Sequence, residues 1–299
     1  MANLILINHF KKSAFSMIEI AVVILIIGIL ISGISRGIDL YGEHRITSAK
    51  NLTKNSRVGR IEDLEIWLET TSEDSFATGT SSYTNLSNAP AEGTKIGMWR
   101  DINPRVISSN RLNIFRNIAS DNQPVYNKSG INGIPALKFD NNDSFNTYSH
   151  IPRLNSPRFT TFLVMNHNNL GASDYNFVLY SRPTSIRGYS LLVQKLSGIQ
   201  SLNYMVGSDI WWQGSAAVVR SSEIPIIVSF VFDGVTSRLF RNGVEYPTNF
   251  SSNYLQNIDA QTYLAPRGFI GEFIYYSRNL SDNERLDVER YLSKKWSIN

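Results

Sequence analysis

Hydrophobic and polar residues follow distinct patterns in successive parts of this chain. From Phe15 to Ile34 the residues are almost all apolar, and Glu19 is the single charged one. A bilayer core about 30 Å thick takes about 20 helical residues, so this stretch predicts a membrane-crossing helix. Apolar residues then recur at three- and four-residue steps as far as Asn55, which predicts that the helix continues as an amphipathic segment.

Beyond residue 56, short apolar runs alternate with turn residues, which is typical of an antiparallel β-sandwich. The strongest strand candidates are residues 64–69, 136–139, 160–166, 176–181, 189–195, 226–233 and 269–277. Asn242-Gly243 is a two-residue hairpin signal between two of the apolar runs. Residues 72–95 are rich in Ser, Thr, Asn and Gly and predict a long surface loop.

A final helix is predicted near the end of the chain. Ser281 and Glu284 have the spacing of a capping box. The stripe expected to be buried comprises Leu286, Val288, Tyr291, Leu292 and Trp296. The predicted fold is therefore mainly β, with a long N-terminal α-helix, an antiparallel jelly-roll sandwich and a C-terminal helix.

Composition and charge narrow the function classes. The formal net charge is +4, to which Lys11 and Lys12 contribute two charges, so the rest of the chain is close to neutral. A near-neutral domain has no large field to attract nucleic acid, and we expect none as a partner. The absence of cysteine excludes disulfides, thiol catalysis and thiolate metal sites.

The basic residues before the apolar stretch predict its orientation. Lys11 and Lys12 keep the N-terminus cytoplasmic, so the C-terminal bulk is expected outside the cytoplasm. A secretory signal peptide has a shorter apolar core than this one. A simple anchor explains the length but not Glu19, because a carboxylate at bilayer depth is costly and normally has a partner.

Residues 11–30, KKSAFSMIEIAVVILIIGIL, resemble the leader of type IV prepilins and type II secretion pseudopilins. The resemblance implies a basic leader with Lys11 and Lys12, and cleavage between Ala14 and Phe15, where the family more often has Gly before the cut. It also implies N-methylation of Phe15 and a role in assembly for Glu19. The implied partners are the inner membrane, prepilin peptidase and other pilin-like subunits.

The large C-terminal region resembles concanavalin A-like, laminin-G-type domains. The resemblance rests on residues 66–75 with 98–103, on residues 123–145, and on residues 271–296. It implies a lectin-like jelly roll that recognises a glycan or another surface ligand.

Candidate chemistry within the sandwich is sparse. Glycan hydrolases on this scaffold pair carboxylates two residues apart on one strand, whereas Glu62, Asp63 and Glu65 lack that spacing. We therefore predict that the chain is not an enzyme and needs no cofactor.

Two groups are open to a binding role or a structural one. Asp140 and Asp143 offer oxygen ligands for calcium or form a turn. Trp211 and Trp212, with Tyr204 nearby, stack on a sugar or pack in the core.

These observations predict three segments: a leader at 1–14, a helix at 15–56 and a sandwich at 57–299. The predicted function is a minor type IV pilin-like subunit that displays a lectin-like domain for adhesion. The alternatives are a type II secretion pseudopilin and, third, an envelope-anchored glycan hydrolase. The predicted location is the bacterial inner membrane, with a single pass, and then a pilus or pseudopilus.

Overall fold

The computed structural model describes most of the chain beyond its first 15 residues. The described residues are 16–79, 84–86, 89–106, 115–116, 120–140, 142–147, 156–168, 175–181, 189–196, 199–206, 215–218, 224–246 and 262–299. The two helices among them are α1, Met17–Asn55, and α2, Asp282–Trp296. The strands are β1 Leu64–Glu69, β2 Phe76–Thr78, β3 Thr84–Asn85, β4 Met98–Trp99, β5 Phe115–Arg116, β6 Val125–Ile131, β7 Ile134–Phe139, β8 Phe145–Asn146, β9 Phe159–His167, β10 Tyr175–Ser181, β11 Tyr189–Leu196, β12 Ile199–Val206, β13 Ser215–Val218, β14 Ile226–Phe232, β15 Ser237–Arg241, β16 Val244–Tyr246, β17 Thr262–Leu264 and β18 Gly268–Tyr276.

The chain forms two compact units, Met1–His44 and Arg45–Asn299. In the first, the side chains of Met17–Ile34 are all exposed, and by length and composition this part of α1 can cross a membrane. A long run of Val, Ile and Leu without proline keeps the helix continuous, and it offers an apolar surface that water solvates poorly.

The second unit is built on two antiparallel sheets. Sheet 1 has the order β16-β15-β14-β9-β18-β7-β6, and β1 also pairs with β18. Sheet 2 has the order β13-β12-β11-β10-β17-β8-β5-β4-β2-β3. Alternate residues of each strand point to opposite faces, so each sheet has one face towards the other sheet. These features confirm the predicted fold class.

Two apolar cores hold this unit together. The larger lies between the sheets and is centred on Phe159, which contacts the rings of Tyr189, Phe232 and Tyr275. The smaller lies on the other face of sheet 1, where the C-terminal end of α1 and helix α2 cover the strands; Ala49 and Trp296 are among its buried members. Sheet 1 is thus buried on both faces, which explains why β14 is apolar at almost every position.

Two local sequence signals, a hairpin turn and a helix capping box, are confirmed by the structure. Asn242 and Gly243 have φ of 49° and 78° and connect β15 to β16, as the hairpin signal predicts. The capping box at the start of α2 is also confirmed, because Ser281 and Glu284 each accept a hydrogen bond from the other's backbone N–H.

The surface loop predicted at residues 72–95 is corrected. Phe76 and Ala77 are buried in β2, which pairs with β3 and β4 at one end of sheet 2. A three-residue strand is too short to show a period-2 pattern, so its Ser- and Thr-rich surroundings dominate the sequence signal.

Candidate functional site

Three charged side chains meet beneath helix α2. Glu69 of β1 and Glu272 of β18 lie directly opposite each other in the strand pair. Lys295 of α2 places its Nζ 2.8 Å from Glu69 Oε2 and 2.9 Å from Glu272 Oε2, and all three side chains have no exposed surface. Charges removed from water to this degree are stable only when they are paired and hydrogen-bonded.

The carboxylate of Glu272 is saturated by four donors, one from β1 and three from α2. Its Oε1 accepts from Trp67 Nε1 and from the Tyr291 hydroxyl, both at 2.7 Å. Its Oε2 accepts from Trp296 Nε1 at 2.9 Å, in addition to Lys295. These contacts fix α2 on sheet 1 in one orientation, since a rotation of the helix would break several of them together.

Glu69 is held by the chain that follows it. Its Oε2 accepts from the backbone N–H and the hydroxyl of Thr71, and its Oε1 accepts from the Ser72 N–H and the Ser75 hydroxyl. Burial alone raises the pKa of Glu69, but the charge and hydrogen bonds of Lys295 and Thr71 outweigh it, and the net shift is downward. Burial likewise lowers the pKa of Lys295, but both glutamates outweigh it and the pKa is raised. Glu69 and Lys295 are therefore ionised at neutral pH.

A cleft of about 330 Å³ opens beside this centre. Its lining residues are Lys50, Thr53, Lys54, Glu69, Thr71, Ser72, Asp74 and Ile102. Thr53 lies 3.1 Å from the Tyr291 hydroxyl, which in turn donates to Glu272. Hydrogen bonds thus connect the wall of the cleft to the second buried glutamate.

A row of polar and aromatic side chains crosses the outer face of sheet 2. Tyr180 of β10 pairs with Tyr263 of β17, which pairs with Asn146 of β8. On its other side Tyr180 pairs with Ser190 of β11, which is buried. The neighbouring residues Leu179, Leu264 and Phe145 point into the core. Because successive side chains of a strand point to opposite faces, the row lies on the outer face. The two tyrosine rings stack with centroids 4.9 Å apart and planes 7° apart, and both side chains are half-buried.

The structure removes Tyr204 from the predicted sugar site. Its side chain is 1% exposed and stacks on Phe230 between the two sheets, with centroids 3.5 Å apart. In β12 the side chain of Tyr204 lies on the face towards the core, so a surface ligand cannot reach it. Trp211 and Trp212 lie outside the described residues.

The predicted processing residues are mostly outside the described part of the chain. Lys11, Lys12, Ala14 and Phe15 fall there, so cleavage after Ala14 stays a prediction. Glu19 is exposed on α1, and its Oε2 accepts a hydrogen bond from the Ser16 N–H at 2.8 Å, which caps the first turn.

Asp140 and Asp143 form the contacts of a turn. The Asp143 carboxylate accepts from the Asp140 N–H at 2.7 Å, and the Asp143 N–H donates to the Asp140 carbonyl at 3.2 Å. Burial raises the pKa of Asp143. Within the described ranges, no three His, Cys, Asp or Glu side chains are grouped to hold a metal, so the structure adds no third acidic ligand to these two.

The sequence analysis missed the buried centre and the tyrosine pair. The sequence does contain two signals of the buried centre. Glu69 and Glu272 each lie in an otherwise apolar strand, and Lys295 is next to Trp296 in the apolar stripe of α2. What it does not contain is the register that brings them together.

Comparisons with known proteins give structural neighbours only. No family model and no curated protein matches this chain. The structure of Trypanosoma rangeli sialidase is similar over 78% of this chain, with 14% identity and a TM-score of 0.47. Domain 4 of AbnA, a GH43 extracellular arabinanase from Geobacillus stearothermophilus solved with arabinotriose, is similar over 78% of this chain and 98% of its own length, with 15% identity and a TM-score of 0.46. The enzymatically active domain of bacteriophage CBA120 tailspike protein 2 is similar over 56% of this chain and 29% of its own length, with 15% identity and a TM-score of 0.41. This chain spans 33% of the sialidase.

These findings correct two predictions. The similar structures bear the names of a sialidase, an arabinanase and an active tailspike domain, and no family model with the prepilin signature matches. The prediction of a pilin or pseudopilin subunit, with its methylation and secretion roles, is wrong. The prediction that the chain is not an enzyme is also corrected, because the similar structures bear the names of enzymes. That prediction relied on a same-strand carboxylate spacing alone.

Proposed function

We propose that this chain is a membrane-anchored protein whose β-sandwich, of the concanavalin A-like class, binds a glycan on the outer face of sheet 2. The observation that carries the proposal is the half-buried stack of Tyr180 and Tyr263 with Asn146 beside it. An aromatic face offers apolar contact to the C–H side of a sugar ring, and an adjacent amide donates to and accepts from its hydroxyls. Few polar groups around an apolar patch are typical of small-ligand sites.

The anchor in this proposal is the apolar part of α1. Residues Met17–Ile34 cross a bacterial inner membrane once, and Lys11 and Lys12 keep the N-terminus in the cytoplasm. The sandwich then faces the outside of that membrane, where envelope and extracellular glycans are found.

Replacing Tyr263 with alanine is expected to weaken glycan binding by about tenfold or more, because it removes one face of the stack and lets Tyr180 move. The full-length protein in detergent is screened on a glycan array, and the best ligand is then titrated against the wild type and the variant. The matched control is Tyr41→Ala, which removes an exposed tyrosine of α1. Equal affinity of the Tyr263 variant and the wild type, or no glycan bound by the wild type, contradicts the proposal.

The second candidate function is glycan hydrolysis at the cleft, and the Glu69–Glu272 pair favours it. Both carboxylates contact the same ammonium, at 2.8 and 2.9 Å. Their Oε2 atoms are therefore less than about 6 Å apart, a bound that includes the roughly 5–5.5 Å of retaining glycosidases. To act as acid and nucleophile, these two buried carboxylates would have to be released from Lys295, and one of them protonated, when a substrate enters the cleft.

Hydrolysis is tested by assaying polysaccharide turnover, as released reducing ends, in the wild type and two variants. Glu69→Gln is expected to abolish turnover, since it removes a titratable carboxyl group. Ser72→Phe is expected to do the same by filling the cleft, without disturbing the buried charges. Near-UV circular dichroism reports whether each variant is folded, and turnover that persists in folded Ser72→Phe excludes the cleft as the active site.

A further inference from the structure

We infer that Lys295 forms an amide bond with Glu69 after the chain has folded, and that Glu272 transfers the protons of this reaction. The ion-paired centre of these three side chains is the reactant of this step. The inference goes beyond the proposed function, since it concerns the covalent structure of the sandwich and not its ligand. The amide and glycan hydrolysis at this centre exclude each other, because the amide consumes the Glu69 carboxyl group.

The reacting groups are already in contact. Lys295 Nζ lies 2.8 Å from Glu69 Oε2. Because a C–O bond is about 1.2 Å long, Nζ is at most about 4 Å from the carboxyl carbon of Glu69. Reacting atoms in near-attack conformers are about 3–3.5 Å apart. Both side chains are fully buried, so the contact persists as long as the fold does and even a slow reaction can go to completion.

Glu272 is placed to make the amine nucleophilic. Its Oε2 lies 2.9 Å from Lys295 Nζ, on the same ammonium group as Glu69. An ammonium has no lone pair with which to attack a carboxyl carbon, so it must first give a proton to Glu272. Burial favours this transfer, because it leaves one charged group where there were three. The ion pair is the resting form of the centre, and the neutral amine is the reactive one.

Two features single out Glu69 as the carboxyl group that is attacked. Its Oε1 accepts hydrogen bonds from the Ser72 N–H and the Ser75 hydroxyl. Donors at this position stabilise the oxygen that becomes negative in a tetrahedral intermediate. Glu69 and Thr71 also line the cleft of about 330 Å³, which gives the released water a way out of the buried centre.

The reaction needs no added reactant. The Lys295 nitrogen forms a bond to the carboxyl carbon of Glu69, and the bond from that carbon to Oε2 breaks. Two of the three ammonium protons pass through Glu272 to Oε2, which leaves as water. The nitrogen keeps the third proton, and Glu272 ends as the carboxylate that it was at the start.

The product suits the buried centre. The amide N–H takes over the hydrogen bond from Nζ to Glu272, and Trp67, Tyr291 and Trp296 still donate to this carboxylate. One buried and hydrogen-bonded charge then remains in place of three. The bond joins residues 226 positions apart, so it ties the first strand of the sandwich to helix α2. In a chain without cysteine, it restricts the unfolded state as a disulfide would.

Tryptic digestion of the folded full-length protein, followed by mass spectrometry, tests the bond. Trypsin cleaves after lysine and arginine, so Glu69 falls in peptide 61–95 and Lys295 in peptide 295–299. We expect one linked species whose mass is the sum of these two peptides less one water molecule. Recovery of the two peptides only as separate species overturns the inference. A linked species that contains peptide 268–278 also overturns it, since the bond would then be to Glu272.

Two variants test the role of Glu272, and near-UV circular dichroism reports whether each is folded. Glu272→Gln keeps both reacting groups but removes the proton acceptor, so the bond is expected to form at least about tenfold more slowly. Lys294→Arg, at the exposed neighbour of Lys295, is the matched control and is expected to link like the wild type. A folded Glu272→Gln protein that links at the wild-type rate overturns the role of Glu272. The wild-type digest decides the bond itself, whether or not this variant folds.

Discussion

Replacing Lys295 with methionine is expected to lower the free energy of unfolding by about 3–5 kcal/mol. Methionine keeps the length and apolar stem of lysine but removes the one cation between Glu69 and Glu272. Two carboxylates then face each other without surface exposure. One of them must take up a proton, or the helix must lift away from sheet 1 to admit water.

Urea unfolding followed by tryptophan fluorescence measures this effect, because Trp67 and Trp296 border the centre. Lys294→Met is the matched control, since Lys294 is the exposed neighbour on the same helix, and its effect is expected within about 0.5 kcal/mol. Equal stability of the two variants would show that Lys295 does not compensate the glutamates.

The same variant has a predicted pH dependence. The pKa of Glu69 is lowered in the folded protein, so its contribution to stability is present above the pKa of the unfolded chain and is lost as the pH falls through the folded value. Lys295→Met removes most of the cause of that lowering. Glu69 titrates alike in the two unfolded chains, so the stability difference between wild type and variant depends on the two folded proteins. It is expected to shrink as the pH falls from the carboxyl pKa of the folded variant to the lowered pKa of the folded wild type.

Replacing Gly271 with alanine is expected to cost about 3 kcal/mol. A Cβ atom at this position would lie 2.3, 2.6 and 2.7 Å from three ring atoms of Trp296. That ring cannot move aside, because it is fully buried and its Nε1 donates to Glu272. The pairing of β18 with β9 is irregular between Ile270 and Glu272, so Gly271 lies at a bulge that brings the helix close to the strand.

The comparison for this substitution is Gly42→Ala in helix α1. Apart from the neighbouring residues and the backbone of the helix itself, no atom lies within 4 Å of a Cβ built there. Alanine is also the better helix former, so no destabilisation is expected. Combining Gly271→Ala with Trp296→Phe is expected to cost less than the sum of the two, since a smaller ring leaves room for the methyl group. Fully additive costs in this double-mutant cycle would mean that the ring and the methyl group do not collide.

Much of the secondary structure follows from the sequence alone, because its signals are local. Apolar runs bounded by turn residues predict β1, β9 and β14 almost to the residue. Ser281 with Glu284 predicts where α2 begins, and Asn242-Gly243 predicts a hairpin, since each depends on residues within one turn of chain. The apolar helical segment Met17–Ile34 is likewise predicted by its composition and length.

The candidate sites were decided by tertiary structure. Glu69 and Glu272 are about 200 residues apart in the chain, and only the pairing of β1 with β18 sets them opposite each other. A strand shifted by one residue turns every side chain to the other face, so no local pattern predicts which side chains meet. Tyr204 and Tyr180 are an example, since both lie in strands of sheet 2. Tyr204 is in the core, whereas Tyr180 is on the outer face. The sequence by itself determined the elements of this protein and its apolar N-terminal helix, whereas the long-range strand register and the docking of α2 determined which residues form its buried centre, its cleft and its aromatic row.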